Sequence, residues 1–262
     1  MNDIFLSFII GIIQGLTEFL PISSSAHLLF PSLLFGTNDL GLYFDISAHA
    51  GTLVAVIYYF RNKIFLMGRS LFVELNKPNK NKDLAFQLII ATIPIVIAGL
   101  FFKDLIEQRV FDAYSIAIAN LFFAAVLFFA FVRNKGNKDI INMTLYSALF
   151  IGIFQCFALI PGASRSGTTI TAALLIGINL KDASKFAFLL SIPTILGALI
   201  LLSFDLKTEV VELNLINIIV GFITSMIFAF FTIKLFLKII EKIGMIPFII
   251  YRVLLGVFLI LM

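Results

Sequence analysis

Residues 145–178 read LYSALFIGIFQCFALIPGASRSGTTITAALLIGI, a stretch that is apolar at both ends and polar only in its middle. The interruption, PGASRSGTT at 161–169, starts with Pro-Gly, a pair that ends a helix. Beyond it only Thr168 to Ile178 remains, about 17 Å as a helix and roughly half the hydrocarbon thickness of a bilayer. The stretch therefore predicts a re-entrant hairpin whose non-helical tip is buried in protein or lines a wet cavity.

A second stretch of the same design lies near the N-terminus, from Ile4 to Phe35. PISSSAH at 21–27 interrupts it, and only His27 to Phe35 follows the break. The two hairpins align: GIIQGLTEFLP at 11–21 and GIFQCFALIP at 152–161 share Gly, Ile, Gln and Pro at an offset of 141 that falls to 140 at the proline. This similarity predicts a single membrane domain, 1–262, built from repeats of approximately 1–138 and 139–262.

The composition excludes an ordinary soluble domain. Of 262 residues, 61% are hydrophobic and 13% are charged, whereas charged residues usually make up ~25% of a globular protein. The single Cys156 excludes an internal disulfide and a cysteine-based metal site, and a net charge of +4 gives no reason to expect nucleic-acid binding. We expect an all-α, multi-pass membrane protein, and the Gly and Ser residues on its spans would also permit a homodimer.

Six further apolar segments are long enough to cross a bilayer. Each has 17 to 20 residues, or about 26 to 30 Å of helix. They are Tyr43 to Phe60, Leu84 to Phe102, Ala113 to Val132, Phe186 to Phe204, Leu215 to Ile233 and Ile246 to Met262. The predicted architecture is six transmembrane helices plus two re-entrant helix-loop-helix hairpins.

The basic residues indicate the orientation, because Lys and Arg concentrate in cytoplasmic connections. The connections at 61–82, 133–138, 181–185 and 234–242 hold 14 of the 19 Lys and Arg residues, whereas those at 103–112 and 205–212 hold three, beside six acids. If the first four are cytoplasmic, one hairpin enters from outside and the other from inside. The repeats then have inverted topology, in which broken helices meet near the membrane midplane and form the site.

Six ionisable residues fall at membrane depth, where a charge costs at least ~2.5 kcal/mol and needs a partner or water. They are Glu18, His27, Asp45, His49, Arg165 and Arg252. All six are candidate site residues, although three also have a structural alternative. Arg252 can snorkel or pair structurally, Asp45 can cap its span, and His49 can bond a neighbouring helix.

The second hairpin has the features of an anion site. After the break at Pro161 and Gly162, the chain enters a helix whose first N–H groups and positive dipole end attract anions. Arg165 adds a planar fork that suits phosphate. It has no acid among its near neighbours, so its partner is either Glu18 or a bound phosphate, and we favour phosphate. The other phosphate-binding candidates are Ser164, Ser166, Gly167, Thr168 and Thr169.

These segments resemble a known family. GLTEFLPISSSAH at 15–27 and PGASRSGTT resemble the two signature segments of the undecaprenyl-pyrophosphate phosphatase family, integral-membrane enzymes linked to bacitracin resistance. FDISAHAGTLVAV at 44–56 and IPFIIYR at 246–252 extend the similarity along the chain. The resemblance implies removal of the terminal phosphate of a C55 polyprenyl pyrophosphate, which regenerates the carrier lipid of cell-wall synthesis. It implies a bacterial cytoplasmic membrane, and our topology then places the active site on the extracytoplasmic side.

The resemblance also suggests a divalent cation, Mg²⁺ or Ca²⁺. The family has Glu or Gln at its first acidic position, and this chain has Gln14, whose amide oxygen is a neutral and poorer ligand. Glu18 lies four residues on, on the same helix face. It would carry the anionic ligation, with substrate phosphates supplying the remaining oxygens.

The expected mechanism uses both hairpins. Arg165 and the N–H groups of 164–169 hold the terminal phosphate, Ser24 is the candidate nucleophile, and His27, three residues on, is its base. In the alternative, His27 or Glu18 activates water and Ser24 is only a ligand. The secondary candidates are Ser23, Ser25, Asp45 and His49.

A transporter is the competing function, because inverted repeats with broken helices also build secondary transporters and flippases. Such a protein would bind an anionic lipid headgroup at Arg165 and relay protons through Glu18 or His27. A nucleophile and a base beside a phosphate cradle favour the enzyme, since transport requires neither.

Overall fold

The computed structural model describes residues 3–28, 30–31, 36–37, 40–73, 79–102, 112–136, 138–140, 143–205 and 214–261. These residues are almost all helical, and the strand-like pairing among them is one bridge between Lys138 and Ile178. The helices are α1 (Asp3–Thr17), α2 (Ser24–Leu28), α3 (Leu42–Tyr59), α4 (Arg61–Phe72), α5 (Lys80–Phe101), α6 (Ala113–Arg133), α7 (Leu145–Gln155), α8 (Arg165–Leu175), α9 (Leu180–Asp205), α10 (Leu215–Ile243) and α11 (Ile246–Leu261). A 3₁₀ turn, Cys156–Leu159, follows α7.

Among the described residues, four helices are long and apolar enough to cross a membrane: α5, α6, the Leu180–Leu201 part of α9, and α10. Their outward faces are apolar, as at Phe86, Ile89 and Ile93 of α5, which are exposed. Water disfavours so large an apolar surface, so the prediction of an all-α integral membrane protein is confirmed. α3 covers the predicted span Tyr43 to Phe60 except Phe60, which lies in a turn, and α11 covers the predicted span Ile246 to Met262 except Met262, which lies outside the described residues.

Both predicted interruptions are breaks in helical structure. α1 is followed by a turn over 18–22 before α2 begins, and α7 passes through the 3₁₀ turn and residues 160–163 before α8 begins. α8 starts three residues before the predicted Thr168 and has 11 residues, about 16 Å, which is too short to cross. The corresponding arm of the first hairpin, predicted as His27 to Phe35, lies partly outside the described residues.

Helix packing relates the two halves of the chain. α1 packs against α10 and α7 packs against α5, while α3 packs against α10 and α9 against α5. If α1 is exchanged with α7, α3 with α9 and α5 with α10, the contact of α1 with α10 becomes that of α7 with α5. The contact of α3 with α10 likewise becomes that of α9 with α5. The pairs α3 with α9 and α6 with α11 also pack together. This is the pattern that a two-fold repeat would produce.

Glycines at equivalent positions permit two of these contacts. Gly11 of α1 lies directly against Thr224 of α10, and Gly152 of α7, 141 residues later, lies directly against the backbone of Ala91 in α5. A Cβ atom at either glycine would overlap its neighbour. Small residues therefore let the helix backbones of each half approach closely.

Replacing Gly15 with leucine is expected to separate α1 from α10. A Cβ at Gly15 would lie 2.6 Å from the Ser225 carbonyl oxygen and 2.8 Å from Phe228 Cβ. Overpacking of this kind costs about 1–3 kcal/mol, so the thermal unfolding midpoint in detergent should fall. The matched control is Gly68→Leu on α4, where no atom lies within 4 Å of an added Cβ. Equal midpoints for the two variants would contradict this packing.

Candidate active site

The turn after α1 and the start of α8 meet inside the molecule. Arg165 Nη2 lies 2.8 Å from Glu18 Oε1, and both side chains are largely buried. The two residues are 147 positions apart in the chain, so the tips of the two hairpins share one site. Glu18 and a bound phosphate were the two partners expected for Arg165, and in the structure Arg165 pairs with Glu18.

Glu18 connects four side chains. Its Oε2 accepts hydrogen bonds from Gln14 Nε2 at 2.9 Å and from Ser24 Oγ at 3.2 Å, while Oε1 faces Arg165. His49 Nε2 lies 3.9 Å from Oε2. One carboxylate thus fixes a hydroxyl of the first tip and a guanidinium of the second relative to each other.

The two tips have matching backbones. Ser23 and Ser164 both have a φ of 68°, and they are the non-glycine residues with positive φ in the described part of the chain. This conformation is uncommon for a residue with a side chain and costs of order 1 kcal/mol. In each tip the serine hydroxyl meets that of the serine two residues on, Ser25 at 3.1 Å and Ser166 at 3.2 Å. The tips are therefore equivalent turns, 141 residues apart.

Each tip is also hydrogen-bonded to the other. The Gly162 N–H donates to Ser25 Oγ at 3.1 Å, and Ser166 Oγ donates to the Leu20 carbonyl oxygen at 2.8 Å. Ser25 and Ser166 occupy equivalent positions in the two turns. They join the tips, which accounts for the close approach of Glu18 and Arg165.

The site lies at one end of a cavity of about 470 Å³, lined there by Glu18, Ser24, His49 and Arg165. The apolar walls come largely from α5 and α9, each of which contains a proline that interrupts its hydrogen-bond ladder. Arg165 Nη1 is buried and has no hydrogen-bond partner among the described residues. The polar part of the cavity, which contains the unpartnered Arg165 Nη1, thus adjoins the apolar part. The wall residues on these helices are Ile95, Val96, Gly99, Leu100, Thr194, Ile195, Gly197, Ala198, Leu199 and Leu201.

The phosphate-binding candidates of the second hairpin divide into two groups. Ser164 and Arg165 line the cavity, and Ser164 Oγ also caps α8 by accepting the Gly167 N–H at 3.2 Å. Thr168 and Thr169 instead donate to the Arg165 carbonyl oxygen, at 3.0 and 2.9 Å. The candidates that support the turn without lining the cavity are Ser166, Gly167, Thr168 and Thr169.

His27 does not reach Ser24 as a base. Its Nδ1 lies 2.7 Å from the Ser23 carbonyl oxygen and its Nε2 lies 2.7 Å from the Tyr251 hydroxyl. A carbonyl only accepts, so Nδ1 carries the hydrogen and Nε2 accepts from Tyr251. The ring stacks on Tyr251 and is absent from the cavity lining. Both nitrogens are therefore engaged, and His27 fastens the first tip to α11.

His49 is the imidazole in the cavity. Its Nδ1 lies 2.8 Å from the Asp45 carbonyl oxygen, so Nδ1 carries the hydrogen and Nε2 is turned toward Glu18. Asp45 lies in the first turn of α3 and is absent from the cavity lining. Of the two roles considered for His49, the structure places it at the cavity.

A resident divalent cation would need several fixed ligands. Among the described residues, no group of three or more His, Cys, Asp or Glu side chains is placed to hold a metal ion. Gln14 donates its amide to Glu18 and does not line the cavity, which leaves Glu18 as the carboxylate there. The site therefore fits a cation that shares its ligands with substrate phosphates, as Mg²⁺ commonly does.

Three residues outside the cavity support the tips: Arg252 and Asn120 support the second tip, and Tyr251 supports the first. Arg252 does not snorkel: it is 0% exposed and bonds Asn120 and the backbone of the second tip. Asn120 and Tyr251 have no sequence signal for these roles beyond being polar groups in apolar spans. Only their contacts in the folded chain identify them.

Comparison with known proteins gives the family. The model of the family "Bacitracin resistance protein BacA" matches residues 7–258. The chain is 44% identical over 257 residues to an undecaprenyl-diphosphatase of Alcanivorax borkumensis, covering 97% of each protein. It is 46% identical over 255 residues to an undecaprenyl-diphosphatase of Saccharophagus degradans, covering 97% of this chain and 96% of the relative. It is 43% identical over 256 residues to an undecaprenyl-diphosphatase of Aliivibrio salmonicida, covering 96% of this chain and 95% of the relative.

Proposed function

Because the chain belongs to the family of the bacitracin resistance protein BacA, we propose that it hydrolyses undecaprenyl diphosphate to undecaprenyl phosphate and inorganic phosphate. The reaction recycles the lipid carrier of cell-wall synthesis. One observation carries the proposal: the contact between Glu18 and Arg165 lies beside Ser24 at the polar end of an apolar cavity. A diphosphate head needs cationic donors and a prenyl chain needs an apolar path, and here the two adjoin.

The terminal phosphate binds between the tips. Arg165 Nη1 is a donor for it, since this buried atom has no hydrogen-bond partner among the described residues. The first N–H groups of a helix have no intrahelical partner, and since Ser164 caps that of Gly167, those of Arg165 and Ser166 face the anion. The positive end of the α8 dipole adds to this attraction.

The prenyl chain leaves along the apolar walls. α5 and α9 supply aliphatic side chains and two glycines to the cavity, Gly99 and Gly197. No atom lies within 4 Å of a Cβ added at Gly99, so space remains beside the backbone there. The prenyl chain already lies in lipid, which is as apolar as these walls, so the walls serve as a path for the chain and the polar groups at the tips account for most of the affinity.

Hydrolysis starts with Ser24. Its Oγ attacks the terminal phosphorus as the bond from that phosphorus to the bridging oxygen breaks, and the electron pair leaves with the lipid monophosphate. The hydroxyl proton passes to Glu18 Oε2, its hydrogen-bond acceptor. Arg165 neutralises charge on the transferred group, which is the main task of a protein in phosphoryl transfer. Water then attacks the phosphoserine, Oγ recovers its proton, and inorganic phosphate leaves.

Glu18 is the cavity carboxylate that would hold a divalent cation. Glu18 would hold it together with phosphate oxygens, and when bound it supplies further positive charge at the transferred group. Removing it with a chelator should stop phosphate release while leaving the thermal unfolding midpoint of the substrate-free protein unchanged, because the described residues offer no group of three or more His, Cys, Asp or Glu side chains to hold it without substrate.

The proposed membrane arrangement is six spans and two re-entrant hairpins in an inverted-topology repeat. The exchangeable helix contacts support it. So do the equivalent Ser23 and Ser164 turns and the equivalent hydrogen bonds made by Ser25 and Ser166. Breaks that would be unfavourable in lipid are buried against each other, as membrane-depth loops must be.

The active site faces the extracytoplasmic side of a bacterial cytoplasmic membrane. Three of the basic segments lie close together: Asn134 donates to the Ile178 carbonyl oxygen, just before α9, and Lys181 of α9 pairs with Glu241 of α10. These lie at one end of the molecule, which the positive-inside rule makes cytoplasmic. α5 and α9 start at that end, and their cavity residues lie toward the other. A membrane-impermeant thiol reagent should modify a cysteine placed at Ser25 from the extracytoplasmic side. Modification only from the cytoplasmic side would contradict this orientation.

Phosphate release by the purified protein in detergent tests the function. No transmembrane gradient exists in detergent, so a transporter would leave the diphosphate intact, whereas a diphosphatase turns it over. Catalytic release of phosphate together with the lipid monophosphate is expected. An intact substrate after prolonged incubation with folded protein, in the presence of Mg²⁺ or Ca²⁺, would contradict the proposal.

Replacing Ser24 with alanine should abolish the covalent intermediate. With substrate labelled in its terminal phosphate, acid quenching of the wild type should leave label on Ser24, and phosphate release by the variant should fall by at least about 10²-fold, as for other lost catalytic groups. Ser47→Ala on α3 is the matched control, since the Ser47 hydroxyl donates to the Phe44 carbonyl within its own helix and does not line the cavity. Full activity in Ser24→Ala would make water the nucleophile.

A further inference from the structure

Arg252 is a buried cation whose hydrogen-bond partners among the described residues are all neutral. The side chain is 0% exposed. Nε donates to Asn120 Oδ1 at 2.8 Å, and Nη2 donates to the carbonyl oxygens of Asn120, Gly162 and Ala163 at 3.1, 2.9 and 3.2 Å. The ion pairs of the described residues do not include it. Neutral oxygens accept from Nε and Nη2, whereas the buried Nη1 has no hydrogen-bond partner among the described residues. The charge is uncancelled as well, which is unfavourable in a protein interior.

The carbonyls that it binds belong to the turn that presents Arg165. Gly162 and Ala163 immediately precede Ser164, the residue held at a φ of 68°. Arg252 Nη1 lies against the first turn of α8, 2.9 Å from the position of a Cβ at Gly167. One guanidinium therefore extends from the break in the second hairpin to the helix that follows it. Neither Arg252 nor Asn120 lines the cavity.

Asn120 fixes Arg252 in this position. Its Nδ2 donates to the Arg252 carbonyl oxygen at 2.7 Å, while its Oδ1 accepts from Arg252 Nε. The two residues are 132 positions apart, on α6 and α11, which also pack together. The turn is thus attached to a rigid pair of helices outside the site.

We propose that Arg252 is a positioning residue for the hydrolysis: it fixes the 162–164 turn and so holds Arg165 and the α8 N-terminus where they bind the terminal phosphate. This role rests on the proposed function. A planar fork that bonds several carbonyls at once is a geometry that lysine cannot reproduce. A methionine would fill the space without burying a charge. Packing alone would favour methionine at position 252. We therefore attribute the presence of arginine there to its role in positioning the 162–164 turn.

The test compares full-length Arg252→Met and Arg252→Lys with the wild type in detergent. The thermal midpoint of Arg252→Met should stay close to that of the wild type, because removal of the buried charge offsets the loss of the donor to the Asn120, Gly162 and Ala163 oxygens. The kcat of both variants should nevertheless fall by about 10²-fold, the effect of a misplacement of about 1 Å in a catalytic site. Thr232→Val on α10, which alters a buried hydroxyl without a partner among the described residues, should keep the wild-type kcat and KM.

A double-mutant cycle separates positioning from a purely structural role. If Arg252 acts through Arg165, then adding Arg252→Met to Arg165→Lys should lower kcat far less than it does in the wild-type background. Fully additive effects, or a kcat that falls only in step with the thermal midpoint, would overturn the proposal, as would wild-type kcat in both single variants. Phosphate release by the wild type, measured first, distinguishes a failure of this role from a failure of the proposed function.

Discussion

Arg165→Ala is expected to lower kcat/KM for phosphate release from undecaprenyl diphosphate by about 10³-fold or more. An arginine that stabilises a transferring phosphoryl group is worth about 10³–10⁵ in rate. Arg165 lines the cavity and its Nη1 has no partner in the described part of the chain, so its charge and its free donor are both lost. The measurement is steady-state phosphate release by purified protein in detergent.

The controls for this variant address folding and charge. Removing Arg165 leaves Glu18 buried without its partner, which destabilises a protein, so the thermal midpoint is measured alongside. Arg165→Lys keeps the charge and the pairing but loses the fork, and it should remain folded with strongly reduced turnover. Arg133→Ala, an exposed position on the opposite end of the molecule, should retain wild-type activity. Near-normal turnover in Arg165→Ala would refute the assignment.

Glu18→Gln is expected to lower kcat by about 10²–10⁴, the range for loss of a group that transfers a proton. The amide has the size of the carboxylate but cannot take up the Ser24 proton. It also no longer balances the Arg165 charge or holds Ser24 and Arg165 in register. A neutral ligand binds Mg²⁺ or Ca²⁺ less well, so the cation concentration required for half-maximal rate should rise as well.

Glu241→Gln is the matched control for Glu18→Gln. Glu241 is a carboxylate paired with Lys181 at the basic end of the molecule, away from the cavity, and its loss should leave phosphate release unchanged. Wild-type kcat in Glu18→Gln, at an unchanged cation requirement, would remove Glu18 from the mechanism.

The sequence predicted the features that depend on local chemistry. The apolar runs located the long helices, although α9 begins six residues before its predicted span and α10 ends ten residues after its own. The breaks follow from Pro161, Gly162 and the polar residues after them, so α7 and α8 lie close to where they were expected. The approach of the two tips was also predictable, because breaks at membrane depth must be buried in protein. The direct contact of Arg165 with Glu18 was the less favoured of its two expected partners.

The assignment of the imidazoles was not predictable. His27 follows Ser24 by three residues, a spacing that favours a nucleophile and base on one helix face. In the folded chain its ring folds back onto the Ser23 carbonyl and stacks on Tyr251, 224 residues away. His49 reaches Glu18 from α3, and no local spacing indicates that approach. Long-range packing decides which ring enters the cavity.

The roles of the hydroxyls in the second tip were not predictable either. Ser166, Thr168 and Thr169 look equivalent to Ser164 in the sequence, yet they bond backbone carbonyls and support the turn. Ser and Thr have this alternative wherever a carbonyl is near, so composition alone cannot separate ligands from supports.

Hydrolysis in water enriched in oxygen-18 tests the central claim, that the paired tips hold the terminal phosphate for attack. Mass spectrometry of both products after turnover by the wild type should find the heavy oxygen in inorganic phosphate, with undecaprenyl phosphate unlabelled. Heavy oxygen in the lipid monophosphate would mean that the inner phosphorus is attacked, and unlabelled, intact substrate would mean that the site does not hydrolyse it; either result contradicts the account.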